Sequence, residues 1–379
     1  MRAALGYLTA TRLVVNTAYR FAYPFLPAIS RGLGVSLEQG SLLLSTQWIA
    51  GIGTPIVVGA AGADHRRLRT TAAGLAMFVA GAAATAASGV YAGAIVGFAL
   101  VGLAKPTFDV AARSYVADRI PYHRRARYLS VLELTWSGAL LVGAPTAGWL
   151  IDRFGWRAPF WAWAALGAVS LATAARALRP GGPIPEAAGT RASLTRSAVM
   201  LLAVTALFTF ASEVTFVVFG AWMEDTFALD LVALGGAATV IALAELGGEG
   251  TTLLSADRLG PKRVVAGGLV VSIVAFALLG PASSSLGAGL AVLALAFFGF
   301  EVGFVASIPL ATEVAPGARA AYLSLWTVVV ALARAGGAAA GPHLFAWGGF
   351  AANAVLSSAA DVVALVLLLA VVDEHRRSG

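Results

Sequence analysis

Along this chain the apolar residues gather into twelve long blocks separated by short polar ones. Stretches of about 20 residues, the length that crosses ~30 Å of hydrocarbon as a helix, run approximately 4 to 29, 39 to 62, 70 to 88, 91 to 118, 127 to 151 and 157 to 177. Six more run approximately 197 to 223, 231 to 255, 263 to 281, 286 to 313, 319 to 345 and 350 to 372. They are numbered here as spans 1 to 12. Between spans 6 and 7 lie Pro180, Gly181, Gly182, Pro183, Pro185 and Gly189 among charged residues, a composition that ends a membrane helix and reads as a solvated linker. The pattern predicts an all-α integral membrane protein with a six-helix bundle at 1–177, a linker at 178–197, and a second six-helix bundle at 198–379 that ends in a short tail.

The second bundle repeats the first. Asp64, followed by His65, Arg66 and Arg67, meets Asp257, followed by Arg258, at an offset of 193. Pro121 meets Pro316 at 195, and Tyr128-Leu129-Ser130 meets Tyr322-Leu323-Ser324 at 194. Landmarks that keep one order and nearly one offset indicate parallel copies of a single unit.

Composition strengthens the membrane reading: 59% of residues are hydrophobic and 12% charged, with a mean hydropathy of +0.83, against ~45–50% and ~25% in soluble domains. The net charge of +7 comes from bases gathered in short loops, so no nucleic-acid partner is expected. Those bases, among them Arg66, Arg67, Arg124, Arg191, Arg258 and Lys262, fall in the even-numbered loops, the linker and the C-terminal tail; the odd-numbered loops hold only Arg31, Arg153 and Arg157. By the excess of Lys and Arg on the cytoplasmic side, both termini and the linker are expected to be cytoplasmic in a plasma (inner) membrane. Arg12 and Arg20 interrupt the first apolar run, which argues against a cleaved signal. With no cysteine, disulfides and thiolate metal sites are excluded.

The loop after span 8, Asp257-Arg258-Leu259-Gly260-Pro261-Lys262-Arg263, resembles the loop signature of the major facilitator superfamily of secondary transporters, with Leu253 in place of its first Gly. The copy after span 2 keeps Asp64 and Arg69 and departs at Ala60, His65 and Arg67. Arg113 on span 4 and Gly143-Ala144-Pro145-Thr146-Ala147-Gly148 on span 5 are also similar to features of that family. The resemblance implies two six-helix halves that alternate access to a central site, with spans 1, 4, 7 and 10 lining it. An Asp beside several Arg at a helix end can latch neighbouring helices by charge-assisted hydrogen bonds, so Asp64, Arg66, Arg67, Asp257 and Arg258 are candidate gating residues.

Twelve ionisable residues fall inside the spans: Arg12, Arg20, Lys105, Arg113 and Arg334 against Asp109, Glu133, Glu213, Glu245, Glu249, Glu301 and Asp361. Each would cost ~2.5–3.5 kcal/mol facing lipid, so they face one another or a wet interior. By depth, Arg113 and Glu133 are expected to pair and act in gating, and Glu245 or Glu249 to pair with Arg334. The repeat superposes Arg20 on Glu213 and suggests that they oppose each other. Candidate substrate and coupling residues are Arg20, Lys105, Asp109, Glu213, Glu301 and Arg334, with Asn16, Trp136 and Trp326, and also Phe108 and Trp222, as polar and aromatic contacts. Trp149, Trp156 and Trp347 read as interfacial anchors.

These features predict a monomeric secondary transporter without cofactor or metal, whose partners are a small-molecule substrate, protons and the lipid bilayer. Proton-coupled export, by antiport, of a small amphipathic or cationic organic compound is the first choice, since acids outnumber bases seven to five in the spans. The alternative is proton-coupled or facilitated import of an organic anion or polar metabolite, with Arg20, Lys105 and Arg334 as its clamp. An enzyme is disfavoured, because His65, His123, His343 and His375 are scattered and no phosphate-binding Gly-rich loop is present. A channel fits the duplication less well than rocking halves do.

Overall fold

The computed structural model describes residues 2–55, 58, 67–120, 128–129, 131–178, 195–315 and 317–372. Among them the regular structure is entirely helical. Span 1 is split into α1 (Arg2–Arg20) and α2 (Leu26–Leu33), and span 2 is α3 (Leu37–Gly51). Spans 3 to 6 are α4 (Arg67–Ala87), α5 (Tyr91–Arg119), α6 (Thr135–Phe154) and α7 (Ala158–Ala177). Span 7 is split again, into α8 (Arg196–Phe216) and α9 (Phe219–Phe227). Spans 8 to 10 are α10 (Leu231–Leu259), α11 (Pro261–Ala282) and α12 (Leu286–Val314), and α13 (Arg319–Val371) carries spans 11 and 12. Nine stretches of the described residues are long and apolar enough to cross a membrane, and the last, at 51 residues, is long enough for two. Span 1, interrupted by charge and a turn, and span 2, which continues past the described residues, complete the twelve.

The repeat is written in the backbone. The residue before α2, Phe25, has φ −103 and ψ 14, and the residue before α9, Val218, has φ −101 and ψ 2, at the offset of 193 found in the sequence. Both short helices then stop in a left-handed residue, Gly34 at φ 68 and Ala228 at φ 53. Pro24 and Pro27, which cannot donate to a helix ladder, explain the first break; no proline explains the second. Gly155 at φ 82, between spans 5 and 6, corresponds to Gly349 at φ 65, between spans 11 and 12. α5 and α12 are both 29 residues long.

The chain divides into two compact units, Met1–Pro185 with Leu229–Thr239, and Glu186–Ala228 with Val240–Gly379. In the first, α4 packs on α5 and α7, α3 on α5, and α1 on α6 and α7. In the second, α8 and α11 pack on α13, α11 on α12, and α8 on α12. Small residues let these backbones touch, as packing-driven association in lipid requires. A Cβ on Gly97 would come 2.7 Å from the carbonyl oxygen of Gly81, and one on Gly299 2.8 Å from that of Gly268. Gly89, which belongs to the same small-residue series as Gly97, meets nothing within 4 Å. Trp149 and Trp347 are exposed, as anchors would be, while Trp156 is half-buried, packed against Gly32 and under the Arg157 guanidinium.

Candidate functional site

In the first unit the charges of spans 1, 4 and 5 form one ladder with Arg12 as its hub. Arg12 Nε donates to Asp109 Oδ1 at 2.7 Å, and one terminal nitrogen donates to Glu133 Oε2 at 3.0 Å. The other terminal nitrogen donates to the Leu132 carbonyl. Lys105, one turn before Asp109, donates to its second oxygen at 2.8 Å, and Arg113, one turn after, donates to Glu133 Oε1 at 3.1 Å. Residues four apart share a helix face, so α5 presents cation, anion and cation in a row. The ladder runs from a buried Asp109 side chain, 8% exposed, to a half-open Glu133 and Arg113, 47% and 55% exposed.

The same contacts seat span 5. No side chain caps the start of α6 at Leu134, and the Leu132 carbonyl is taken by Arg12 and by the Thr135 hydroxyl at 2.6 Å. Asn16 Nδ2 donates to the Thr135 hydroxyl at 2.9 Å, tying α1 to the same turn. Asn16 is therefore a buried tether in this unit.

Beyond the ladder, two cations share one indole. The Arg20 guanidinium stands 4.4 Å from the Trp136 ring centre and donates to the Trp136 carbonyl at 3.0 Å. The Lys105 ammonium stands 5.1 Å from the same ring and 5.5 Å from that of Tyr19. Tyr19 is held edge-on to Trp48 at 5.1 Å, and Trp48 Nε1 donates to the Tyr23 hydroxyl at 2.8 Å. Cations over aromatic faces gain ~0.5–2 kcal/mol, more where water is excluded. Two cations thus meet one indole, and Lys105 is held by Asp109 as well.

The second unit is built differently. Arg334 on span 11 donates to Glu213 on span 7 at 2.8 Å, with side chains 9% and 0% exposed. Gly337, one turn further along span 11, permits this, since a Cβ there would lie 2.7 Å from Glu213 Cβ. The Arg334 guanidinium also lies 5.4 Å from the Phe300 ring and 5.8 Å from that of Phe304. Glu301 packs against Gly248 of span 8, where a Cβ would meet Glu301 Cβ at 2.9 Å. Trp326 lies 5.3 Å from Phe304 with its buried Nε1 lacking a hydrogen bond.

Arg113 and Glu133 meet as the sequence suggests. Arg334, which the sequence placed with Glu245 or Glu249, donates to Glu213, where the glycine face of span 11 brings it. Within its own unit Arg20 engages Trp136. Phe108 is fully buried, and Trp222 is buried and stacked on Phe350 at 3.8 Å. Of the gating candidates, Asp64 and Arg66 and the side chain of Arg67 lie outside the described residues. Asp257 and Arg258 are exposed and make no ion pair among the described residues. Arg12 and Tyr19 were not singled out for the site; an Arg inside the first apolar run was the available signal for the first, and nothing marked the second.

The chain matches the family model of the Major Facilitator Superfamily over residues 8–255 and belongs to that superfamily. It is a multi-pass membrane protein of that fold. It is 30% identical over 139 residues to the uncharacterized MFS-type transporter YwfA of Bacillus subtilis (strain 168), covering 36% of this chain and 34% of that protein. It is 27% identical over 179 residues to the inner membrane transport protein YdhP of Escherichia coli (strain K12), covering 47% of this chain and 44% of that one. The chain thus spans less than half the length of these curated relatives. Among solved structures, a D-xylose-proton symporter superposes with a TM-score of 0.82 at 15% identity, covering 98% of both chains. The human organic anion transporter MFSD10 superposes with a TM-score of 0.71 at 17% identity, covering 97% of this chain and 99% of that one. These likenesses are of fold.

Proposed function

We propose that this protein is a proton-coupled transporter of small organic anions, working by alternating access in a bacterial-type inner membrane with both termini cytoplasmic. The observation that carries the substrate class is the pair Arg20 and Lys105 on the one Trp136 indole. An aromatic surface already faced by two cations attracts an anion and repels a cation. Proton coupling is assigned to Glu213, whose charge is balanced by Arg334 at 2.8 Å. Motion that separates spans 7 and 11 would leave a buried carboxylate without its cation and favour proton uptake; closure would favour release. Glu301 is the second carboxylate on a cavity span. Asp257 and Arg258 are assigned to the cytoplasmic latch.

A second reading, antiport export of an amphipathic or cationic compound, is favoured by the second unit, whose span interiors carry Glu213, Glu245, Glu249, Glu301 and Asp361 against Arg334, with Arg263, Glu313 and Arg319 at span ends. Thermal unfolding of the purified protein with matched aromatic carboxylates and quaternary amines separates the two, since a ligand of the native state stabilises by mass action. Stabilisation by carboxylates that is lost in Lys105→Met supports the anion reading, and stabilisation by amines alone replaces it. Topology is tested by a single cysteine in this cysteine-free chain: Ser193→Cys is expected to resist an impermeant thiol reagent applied outside, and ready labelling would reverse the orientation.

A further inference from the structure

Span 7 carries three hydroxyls to which the fold gives no partner. Thr205, Thr209 and Ser212 are at most 1% exposed, and their oxygens make no hydrogen bond. Hydroxyls inside a helix usually bond to the carbonyl one turn back, as those of Thr85, Thr107, Thr239 and Thr251 do here. The direction of the three is set by their neighbours on span 7. Phe208 and Phe216 meet Phe300 and Phe297 of span 10, and Glu213 meets Arg334 of span 11. At ~100° per residue around a helix, Thr205 and Ser212 fall between Phe208 and Phe216, and Thr209 falls between Phe216 and Glu213. All three therefore face the seam where span 7 meets spans 10 and 11.

Span 11 adds a fourth polar atom to that seam. Tyr322 donates to the Ala198 carbonyl at 2.7 Å, a Cβ on Gly337 would lie 2.7 Å from Glu213 Cβ, and one on Gly341 would strike Val217. The residues of each pair are 124 apart, so spans 7 and 11 run parallel in a single register. That register sets Trp326 level with Leu202, ~4.5 Å along the axis before Thr205. Its side chain shares an apolar core with Leu201, Val204 and Phe208, and its buried Nε1 has no hydrogen bond. From the linker end, the order along the seam is Trp326, Thr205, Thr209, Ser212, and then Glu213 with Arg334.

A buried polar atom is costly unless it is satisfied, and ordered water is the usual partner where side chains and backbone supply none. Residues four apart stand ~6 Å apart along a helix, close to the ~5.5 Å that one water spans with two O–H···O bonds. This spacing is too wide for one shared ligand and suits single waters between successive hydroxyls. Thr209 lies one turn before Glu213 on the same face, so the row ends at a carboxylate.

We propose that Thr205, Thr209 and Ser212, with Trp326 at the entrance, hold a file of waters that carries protons to and from Glu213. The inference rests on the assignment of the coupling proton to Glu213. Each hydroxyl accepts a proton from the water on one side as it passes its own to the water on the other, so every O–H bond broken is replaced. The last proton goes to the Glu213 carboxylate as Arg334, still charged, withdraws. Trp326 only donates, and so anchors the first water without relaying. The other ionisable groups on the spans packed against span 7 are Tyr322, on the Ala198 carbonyl, Glu301 of span 10, beside Gly248 of span 8, and Asp361 of span 12, with Glu313, Arg319 and His343 towards span ends.

The test is rapid infrared spectroscopy of the purified full chain after a drop in pH, without substrate. Protonation of Glu213 is read as the carboxylic C=O band that is missing from Glu213→Gln. Thr205→Val and Thr209→Val are expected to slow the rise of this band several-fold and to leave its midpoint pH unchanged, and Thr209→Ser to restore the wild-type rate. Packing alone would not be rescued by serine, which lacks the methyl group. Thermal unfolding tests the water itself: exchanging a dry, unsatisfied hydroxyl for a methyl group stabilises, so no rise in Tm is expected for either valine variant. Ser212→Ala gives the same two readouts should a valine variant misfold. Wild-type rates in the hydroxyl-free variants, or a Tm several degrees above wild type, overturn the file while the Glu213 band stands. Absence of that band from the wild type removes the coupling assignment, and the file with it.

Discussion

In the first unit span 1 breaks just after Arg20, and in the second span 7 breaks just after Glu213, with the backbone at Phe25 and Val218 in nearly the same conformation. The positions correspond and the charges are opposite. Around Arg20 the unit gathers cations: Arg12, Lys105 and Arg113 share two carboxylates in a continuous ladder. In the second unit Glu213 is paired with Arg334 at 2.8 Å, both side chains buried. Duplication preserved the scaffold and left the chemistry free to diverge, so that one copy carries an arginine where the other carries a buried carboxylate.

The sharpest way to break this comparison is to remove the cation that pairs with Glu213. Arg334→Ala takes the guanidinium from a fully buried carboxylate, a change of about 3–5 kcal/mol for pairs of this kind. Chemical unfolding of the variant is expected to show that loss, with transport abolished. The double variant Glu213→Gln, Arg334→Gln is expected to recover much of the stability and none of the proton coupling.

The first unit is expected to be more forgiving, because each of its carboxylates has two partners. Lys105→Met removes one arm of the ladder and one cation from Trp136 while Arg12 still holds Asp109. Its predicted signature is at least a tenfold loss of affinity for anionic ligands, about 1.4 kcal/mol, with a smaller stability change than Arg334→Ala. Equal binding of carboxylates by wild type and Lys105→Met would undo the assigned roles.

Asp257→Asn should come next, lowering the rate of transport while leaving substrate affinity nearly unchanged, since the residue is exposed at the end of α10. Asp64→Asn, in the copy that departs further from the family pattern, is expected to be milder. Reduced affinity with an unchanged rate would remove the latch. The smallest effect is predicted for Arg113→Ala: its pair with Glu133 is half exposed, and such pairs contribute ~0–1 kcal/mol. A thermal shift of several degrees in that variant would mean that the ladder acts as a unit.

Much of this architecture was legible beforehand. Span lengths, the linker composition and the offset of 193 depend on hydrophobic run length and order, which a sequence displays directly, and the backbone repeats them at Phe25 and Val218. Side-chain partners depend on which way a residue points around its helix and on which helix lies there. Arg113 and Glu133 could be paired by depth because spans 4 and 5 are consecutive. Arg334 and Glu213 could not, because their approach is set by Gly337, one glycine among the 43 in the chain. Arg12 was visible as a costly charge, but its role as hub follows from three acceptors on two other spans. Symmetry marked Arg20 and Glu213 as equivalent positions, one in each copy.

The central claim is that Glu213 carries the coupling proton while the cationic face of the first unit holds the substrate. Its most direct test places Glu213→Gln in proteoliposomes and follows uptake of an anionic substrate in two modes. With an imposed pH gradient, the account predicts no accumulation above equilibrium; with substrate on both sides and no gradient, it predicts that exchange continues. Accumulation driven by the gradient in Glu213→Gln, at the wild-type level, would contradict it.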